Sequence, residues 1–380
     1  MRLGFGVTVL ARGLASGGLD GIGNYSRELM QRFLASGELE LLPMSYGPAL
    51  PHMATPQIAT LQCGRFAPRA ALSALSGLPF AGAGRIAGKI DLMHATDHLI
   101  PHLGRVPVVA TLMDAIPLAH PEWVPRKLRK LKNALWRRSA HWAAHVITIS
   151  GFSKMEIEQH FAVPAERISV IPLGVDERWF QPLPLEASER ILRRHGLPPR
   201  FFLFVGTLQP RKNIRRVIQA YRSLPQAVIN EVPLVIVGRA GWQCGDIVDA
   251  LAAGAYGPSL IWLRHVPDAE LLALVKAATA LVFPSLHEGF GLPVLEAFAA
   301  GTPVVTSNGS ALPEVAGDAA LLVDPLDTAG IAEAMLRLLE DAALADILRA
   351  RGQARARVHS WDRTAAMTLA VYRTVLGLPG

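Results

Sequence analysis

Two carboxylates separated by seven residues, Glu288 and Glu296, interrupt the otherwise apolar run FPSLHEGFGLPVLEAFAAGTPVVTSN at positions 283 to 308. A carboxylate is costly to bury without a partner, so the pattern predicts one for each, and a ligand is the expected candidate. Paired sugar hydroxyls are natural donors, each charged hydrogen bond being worth about 1.5–3 kcal/mol. Gly289 and Gly291 let the backbone approach a ligand closely, and the amides of Phe290, Gly291 and Leu292 are potential donors to a phosphate. A second cluster lies in GTLQPRKNIRRVIQAY (206–221), where Arg211 and Lys212 stand at the start of a predicted helix. Cations there oppose the helix dipole by about 0.3–1 kcal/mol. A bound phosphate would reverse that cost, meeting two cationic side chains and free amides together. The plainer alternatives are that Arg211 and Lys212 point into water, that Glu288 caps its helix and that Glu296 is a surface residue.

In open α/β sheets, ligands sit beyond the carboxyl ends of strands, so each cluster needs a strand before it and a helix after it. From residue 200 onward come six short apolar runs, FFLFVG, PLVIVG, SLIWL, ALVFPS, TPVVTS and AALLVDP, most of them followed by a turn signal and a helical pattern. That alternation predicts a parallel sheet wrapped by helices. ALVFPS is the strand ahead of Glu288, with Pro293 at the first helical position and Gly301 closing the helix. The same alternation runs through RLGFGVTVL, the helical NYSRELMQRFLAS, DLMHA, PVVATLMD, HVITIS and ISVIPLGVD, and predicts another doubly wound domain. The proline-rich DERWFQPLPLEASERILRRHGLPPR breaks the pattern and places a linker near 178–198, between domains 1–185 and 190–360. Residues 40–90, rich in Pro, Gly and Ala, are expected to be loops over a cleft. The closing SWDRTAAMTLAVYRTVLG reads as one more helix.

A chain of 380 residues fits two ordinary domains. Hydrophobic residues make up 51%, yet no uncharged apolar run reaches the roughly 18 residues of a membrane span. The opening MRLGFGVTVLARGLA reads as a strand rather than a signal peptide. Cys63 and Cys244 stand far apart, without the spacing of a disulfide framework or zinc site. A cytoplasmic protein is expected. Its net charge of +7 lies mostly in the first half, with 19 Lys/Arg against 13 Asp/Glu over residues 1–180. Much of it is in PRKLRKLKNALWRRSAHW (125–142), which has seven basic residues, no acid, and Leu128, Leu131, Leu135 and Trp142 at roughly helical spacing. That segment reads either as a solvated helix face or as a surface meeting a phosphate-bearing acceptor or anionic lipid, peripheral to the inner membrane. Nucleic acid is not indicated, because no recognition motif or interleaved aromatics accompany the charge.

Taken together, GIGNYSREL, DAIPLAHPEW, HVITISGFSK, ISVIPLGVD, FVGTLQPRKN, LVIVGRAGW, FPSLHEGFGLPVLEAFAAGTPVVTS and LPEVAGDAALLVDPLD resemble the blocks of the nucleotide-sugar glycosyltransferases of family 4. The resemblance spans both domains and is close to the bacterial mannosyltransferase-like branch. It implies the α/β architecture called GT-B: two Rossmann-like doubly wound domains facing each other across a cleft, with a C-terminal helix, here 362–380, returning to the first. The E-x7-E spacing is characteristic of retaining members. By resemblance, Glu288 contacts hydroxyls of the donor sugar, Glu296 the ribose, and Arg211 and Lys212 the diphosphate, while the glycine loop in DGIGNY, Gly21 and Gly23 with Ile22 between, closes over the diphosphate or sugar from the first domain. There are two departures. Met113 occupies a position where many members have histidine, leaving Asp114 to contact the acceptor or to cap the following turn. Thr207 stands where many members carry arginine.

The implied reaction moves a hexose from a nucleoside diphosphate to a hydroxyl with retention at the anomeric carbon. Mannose from GDP-mannose is favoured by the branch alone, and a saccharide or lipid-linked saccharide of polysaccharide or lipopolysaccharide biosynthesis is the expected acceptor. No D-x-D motif occurs, so no metal and no cofactor besides the donor are expected. The alternatives are a UDP- or dTDP-sugar-dependent transferase of the same fold, a nucleotide-sugar epimerase and a non-catalytic sugar-nucleotide-binding protein. An NAD dehydrogenase is disfavoured, since neither domain shows G-x-G-x-x-G after a strand with an acid about 20 residues on. Oligomeric state is left open.

Overall fold

The computed structural model describes residues 1–51, 59–124 and 128–379. The chain divides into two units, Met1–Gly174 with Trp361–Gly380, and Val175–Ser360. No helix among the described residues is long and apolar enough to cross a membrane.

The first unit holds seven parallel strands: β1 (Arg2–Gly6), β2 (Glu40–Ser45), β3 (Leu61–Gln62), β4 (Leu92–Ala95), β5 (Val108–Thr111), β6 (His145–Thr148) and β7 (Ile168–Val170). Their order is β3-β2-β1-β4-β5-β6-β7, so the winding reverses between β1 and β4. Every residue of β4 and β5 is buried, as expected of a parallel sheet covered on both faces. The C-terminal helix Trp361–Val375 packs on the helix Gly21–Ser36. Beneath it Tyr372 Oη meets His94 Nδ1 at 2.5 Å, His94 Nε2 meets Thr111 Oγ1 at 2.7 Å, and Thr111 Oγ1 meets Tyr25 Oη at 2.9 Å. This buried chain satisfies each polar group it contains. Burial also pulls the His94 imidazole down to about 3, keeping it neutral.

Three expectations for this unit are corrected. Residues 40–90 are not simply loops: their described part contains β2, β3 and the helices Phe66–Ser76 and Ala83–Ala87, while 52–58 lie outside the described residues. The apolar GVTVL does not extend the first strand, because β1 stops at Gly6 and the helix Thr8–Ala15 follows, with Thr8 Oγ1 accepting from Tyr46 N at 2.9 Å. Nor do Gly21 and Gly23 form a loop. They lie in the first turn of the helix Gly21–Ser36, where Asp20 Oδ1 accepts from Gly23 N at 2.7 Å.

The second unit holds β8 (Phe202–Val205), β9 (Leu234–Val237), β10 (Leu260–Leu263), β11 (Ala280–Phe283), β12 (Val304–Ser307) and β13 (Leu321–Val323), in the order β10-β9-β8-β11-β12-β13. These six strands fall on the six apolar runs, and all their pairings are parallel. The expected linker at 178–198 belongs to this unit. The helix Leu185–Arg194 starts directly after Pro184, it packs against the helix Asp268–Ala277, and His195 Nε2 meets Glu270 at 2.7 Å. Proline marks a helix start there rather than a break, and the division between units falls at Gly174.

Candidate active site

Strands β8 and β11 are neighbours at which the winding of the second sheet reverses, the place where open α/β sheets bind ligands. The basic cluster follows β8 and the acidic cluster follows β11. After β8 the chain turns through Gly206, against which Gly238 packs so closely that a Cβ on Gly238 would stand 1.9 Å from Gly206 O. Leu208 N donates to Arg239 O and Gly241 N to Leu208 O, both at 2.9 Å, lacing the loops after β8 and β9. Pro210–Lys212 then forms one 3-10 turn, and Asn213 follows at φ +61° before the helix Ile214–Arg222. Asparagine tolerates that left-handed conformation better than most residues. Its buried side chain donates to Pro284 O at 2.9 Å and to Pro325 O at 2.6 Å, pinning the basic turn to the loops after β11 and β13. Sequence reasoning missed Asn213, although an asparagine directly before an amphipathic helix is a recognisable signal.

The two clusters meet in one ion-paired group. Lys212 Nζ lies 2.6 Å from Glu288 Oε1, and Arg211 Nη1 lies 2.9 Å from Glu288 Oε2. Arg211 Nη1 also donates to His287 O at 3.1 Å, and Leu286 N donates to Arg211 O at 2.7 Å. Lys212 stands over the Phe283 ring, 4.6 Å from its centroid. Burial pushes the Glu288 carboxyl up, but the charges of Lys212 and Arg211 outweigh it and hold the group at about 2. Burial lowers the Lys212 ammonium, which Glu288 in turn supports. The expectation that a ligand offsets the burial of Glu288 is therefore corrected: the protein's own cations do so. Two cations against one carboxylate leave a net positive charge, and Arg211 retains 20% of its side-chain exposure. Such a group can hold an anion while presenting the remaining lone pairs of Glu288 to hydroxyl donors.

The turn after Glu288 is held by a 3.2 Å hydrogen bond from Glu288 N to Ser310 Oγ. Gly291 has φ +121°, and a Cβ there would come 2.7 Å from Leu312 Cδ2. The helix Leu292–Ala300 begins next, with Pro293 at its second position and Gly301 in a left-handed cap. Among the described residues, the amides of Phe290, Gly291 and Leu292 have no backbone acceptor. They stand free at a helix N-terminus, where the dipole favours an anion. Thr207 is exposed on the loop after β8.

Glu296 lies on the same helix, half-buried, with no hydrogen bond or ion pair among the described residues. Burial pushes its carboxyl up to about 8, with Arg178 lowering it and Asp268 and Asp176 raising it. A ribose diol placed on Glu296 would donate to both oxygens of the ionised form and more strongly than to the neutral one, so binding of a nucleoside diphosphate there at pH 7.5 should release a proton. Titration calorimetry in buffers of different ionisation enthalpy reads this directly. Release of a sizeable fraction of one proton is expected, lost in Glu296→Gln; heats independent of buffer would remove Glu296 from the site.

In the first unit, Asp114 Oδ1 accepts from Ile116 N at 3.0 Å, closing the turn after β5, and Met113 beside it is buried. Two residues at the reversal of the first sheet were not singled out by sequence. Asp97, just beyond β4, is 9% exposed and accepts from Leu99 N at 2.7 Å, and burial pushes its carboxyl up to about 6. His98 stacks on Trp136 and Phe161, with ring centroids 4.8 and 5.9 Å away. The signal was an Asp-His pair directly after the strand DLMHA.

Comparison with known proteins covers both units. Residues 188–355 match the family described as glycosyl transferases group 1, and residues 19–179 match Glycosyltransferase Family 4. The O-antigen chain mannosyltransferase B of Escherichia coli is 33% identical over 371 residues, covering 93% of this chain and 96% of that one. The MMP alpha-(1->4)-mannosyltransferase of Mycolicibacterium hassiacum is 33% identical over 244 residues, 63% of this chain and 56% of the relative. Among solved structures, Anabaena HepE in complex with UDP-glucose has a TM-score of 0.77 at 18% identity, covering 98% of this chain and 100% of that chain. Sucrose-phosphate synthase from Thermosynechococcus elongatus has a TM-score of 0.75 at 20% identity, covering 99% of each chain. At such identities the likeness is one of fold: two parallel α/β sheets of the GT-B type.

Proposed function

Because the chain belongs to the glycosyltransferases of group 1 and family 4, we propose that it transfers mannose from GDP-mannose, with retention, to a saccharide or lipid-linked saccharide acceptor in polysaccharide or lipopolysaccharide assembly. The observation that carries the reading is the Glu288–Lys212–Arg211 group at the reversal of the second sheet. The mannosyl donor is supported by the O-antigen mannosyltransferase that matches nearly the whole chain.

In this reading the bond between the anomeric carbon and the diphosphate oxygen breaks as the acceptor oxygen bonds to the same face of that carbon. The acceptor proton passes to the leaving phosphate. Arg211, Lys212 and the amides of Phe290, Gly291 and Leu292 neutralise charge developing on the diphosphate, the kind of fixed electrostatics that contributes most to many enzymes. With that charge supplied by the protein, the reading assigns no metal ion. Glu288 orients the sugar hydroxyls, Glu296 holds the ribose, Thr207 lines the diphosphate, and Gly21, Ile22, Gly23 and Asp114 serve the first unit's side of the reaction.

A UDP-sugar donor is the second reading, favoured by the UDP-glucose in the HepE complex. Thermal unfolding in the presence of GDP-, UDP- and dTDP-sugars separates the two. A ligand at a hundred times its Kd stabilises by about 2.7 kcal/mol, a rise of several degrees. GDP-mannose is expected to give that rise; a rise with UDP-glucose alone would transfer the assignment to the UDP-sugar.

A further inference from the structure

The reversal of the first sheet, between β1 and β4, carries a carboxylate whose burial nothing in the fold offsets. Thr96 Oγ1 donates to Gly6 O at 2.8 Å, tying the loop after β4 to the end of β1. Asp97 follows, 9% exposed, and its Oδ1 accepts from Leu99 N at 2.7 Å. Its Oδ2 has no hydrogen-bond or ion-pair partner among the described residues. An asparagine would cap Leu99 N equally well, so the negative charge serves no contact within the fold, and burying it costs stability. Glu288, by contrast, has two cations on its oxygens. Arg12, on the helix Thr8–Ala15, lowers the Asp97 carboxyl only from a distance, and Asp20 raises it.

His98 comes next, its ring held between Trp136 and Phe161. Trp136 belongs to the helix Arg129–Ala140, in the basic segment 125–142, of which 125–127 lie outside the described residues. His98 Nδ1 is buried without a partner, and Nε2 has none among the described residues. Burial lowers this imidazole and the carboxylate of Asp114, on the loop after the neighbouring strand β5, raises it. Asp114 Oδ1 is taken by Ile116 N, while Oδ2 is unpartnered among the described residues. Two adjacent loops therefore offer two carboxylate oxygens and an imidazole, a set that hydroxyl groups satisfy by donating. A phosphate offers acceptors alone and brings its charge against both carboxylates. Of the cations nearby, Lys132 is held over the Trp136 ring, 5.2 Å from its centroid, and Arg12 faces both Asp97 and Asp20. We propose that Asp97 and His98 determine acceptor specificity: they bind an uncharged sugar through its hydroxyls and turn away a sugar phosphate. The assignment rests on the transferase reading.

Saturation-transfer NMR titration of the full chain with GDP present tests it. The probes are methyl α-mannoside, methyl α-glucoside and methyl β-N-acetylglucosaminide, each beside its 6-phosphate. At least one neutral glycoside is expected to bind, and more tightly than its phosphate. Asp97→Asn should weaken that glycoside by about ten- to a hundredfold, the loss of a charged hydrogen bond, and His98→Gln by about three- to tenfold. The unfolding temperature of free Asp97→Asn should hold or rise, because a buried unpaired charge has been removed. That pairing of kept stability with lost binding separates a contact to the sugar from a structural role. Wild-type glycoside binding by Asp97→Asn, a fall of several degrees in its unfolding temperature, tighter binding of a 6-phosphate, or no neutral glycoside bound would each overturn the proposal. A wild-type protein that binds a glycoside but not GDP would instead sink the donor reading.

Discussion

Glu288→Ala is expected to abolish sugar transfer, lowering kcat/KM by about a thousandfold or more, which corresponds to roughly 4 kcal/mol of transition-state stabilisation. Each oxygen of Glu288 already accepts from one cation, and each retains acceptor capacity for a sugar hydroxyl. Removing the carboxylate deletes those contacts and leaves the Lys212 ammonium buried without its counter-charge. Breaking a buried pair in that way costs about 3–5 kcal/mol, so the alanine variant should also unfold at lower temperature. Glu288→Gln separates the two effects, because it keeps the shape and one acceptor but not the charge. It is expected to recover part of the stability and little of the turnover, read by steady-state transfer beside thermal unfolding. Near-normal turnover in either variant would take Glu288 out of the reaction.

Lys212→Ala should be nearly as damaging, but by another route. The ammonium is the one cation of the group that is buried, 2.6 Å from the carboxylate, and it sits over the Phe283 ring. Without it Glu288 keeps only Arg211, the net positive charge that two cations left over one carboxylate is cancelled, and the carboxyl rises from about 2. A charged hydrogen bond contributes about 1.5–3 kcal/mol, so donor affinity should fall by roughly ten- to a hundredfold, with transfer lost alongside it. A rise in KM is therefore expected together with the fall in kcat. A variant with unchanged KM and turnover would mean that the diphosphate is held elsewhere.

The second unit was legible because each strand is a short apolar run closed by a turn signal, and because Gly301 marks a helix end by its left-handed conformation. Residues 40–90 were opaque for a physical reason: β3 is only two residues long, and the helix Phe66–Ser76 has neither a side-chain cap nor an acid in its first turn. The helix Thr8–Ala15 was hidden because its opening Thr-Val-Leu has the composition of a strand. Within the site, both charged clusters could be found from residue type and spacing. Their pairing could not, since 76 residues separate Lys212 from Glu288 and only the adjacency of β8 and β11 joins them. The anchoring of the basic turn by Asn213 was invisible for the same reason, since its acceptors lie 71 and 112 residues away.

The central claim is that the Lys212–Arg211–Glu288 group holds a nucleoside diphosphate. Calorimetric titration of GDP into the wild type, Lys212→Ala and the surface control Arg200→Ala, whose partner Glu231 is exposed, tests it most directly. Binding by the wild type and the control, weakened at least about tenfold by Lys212→Ala, is the predicted result. Equal affinity in all three proteins, or no binding by the wild type, would contradict it.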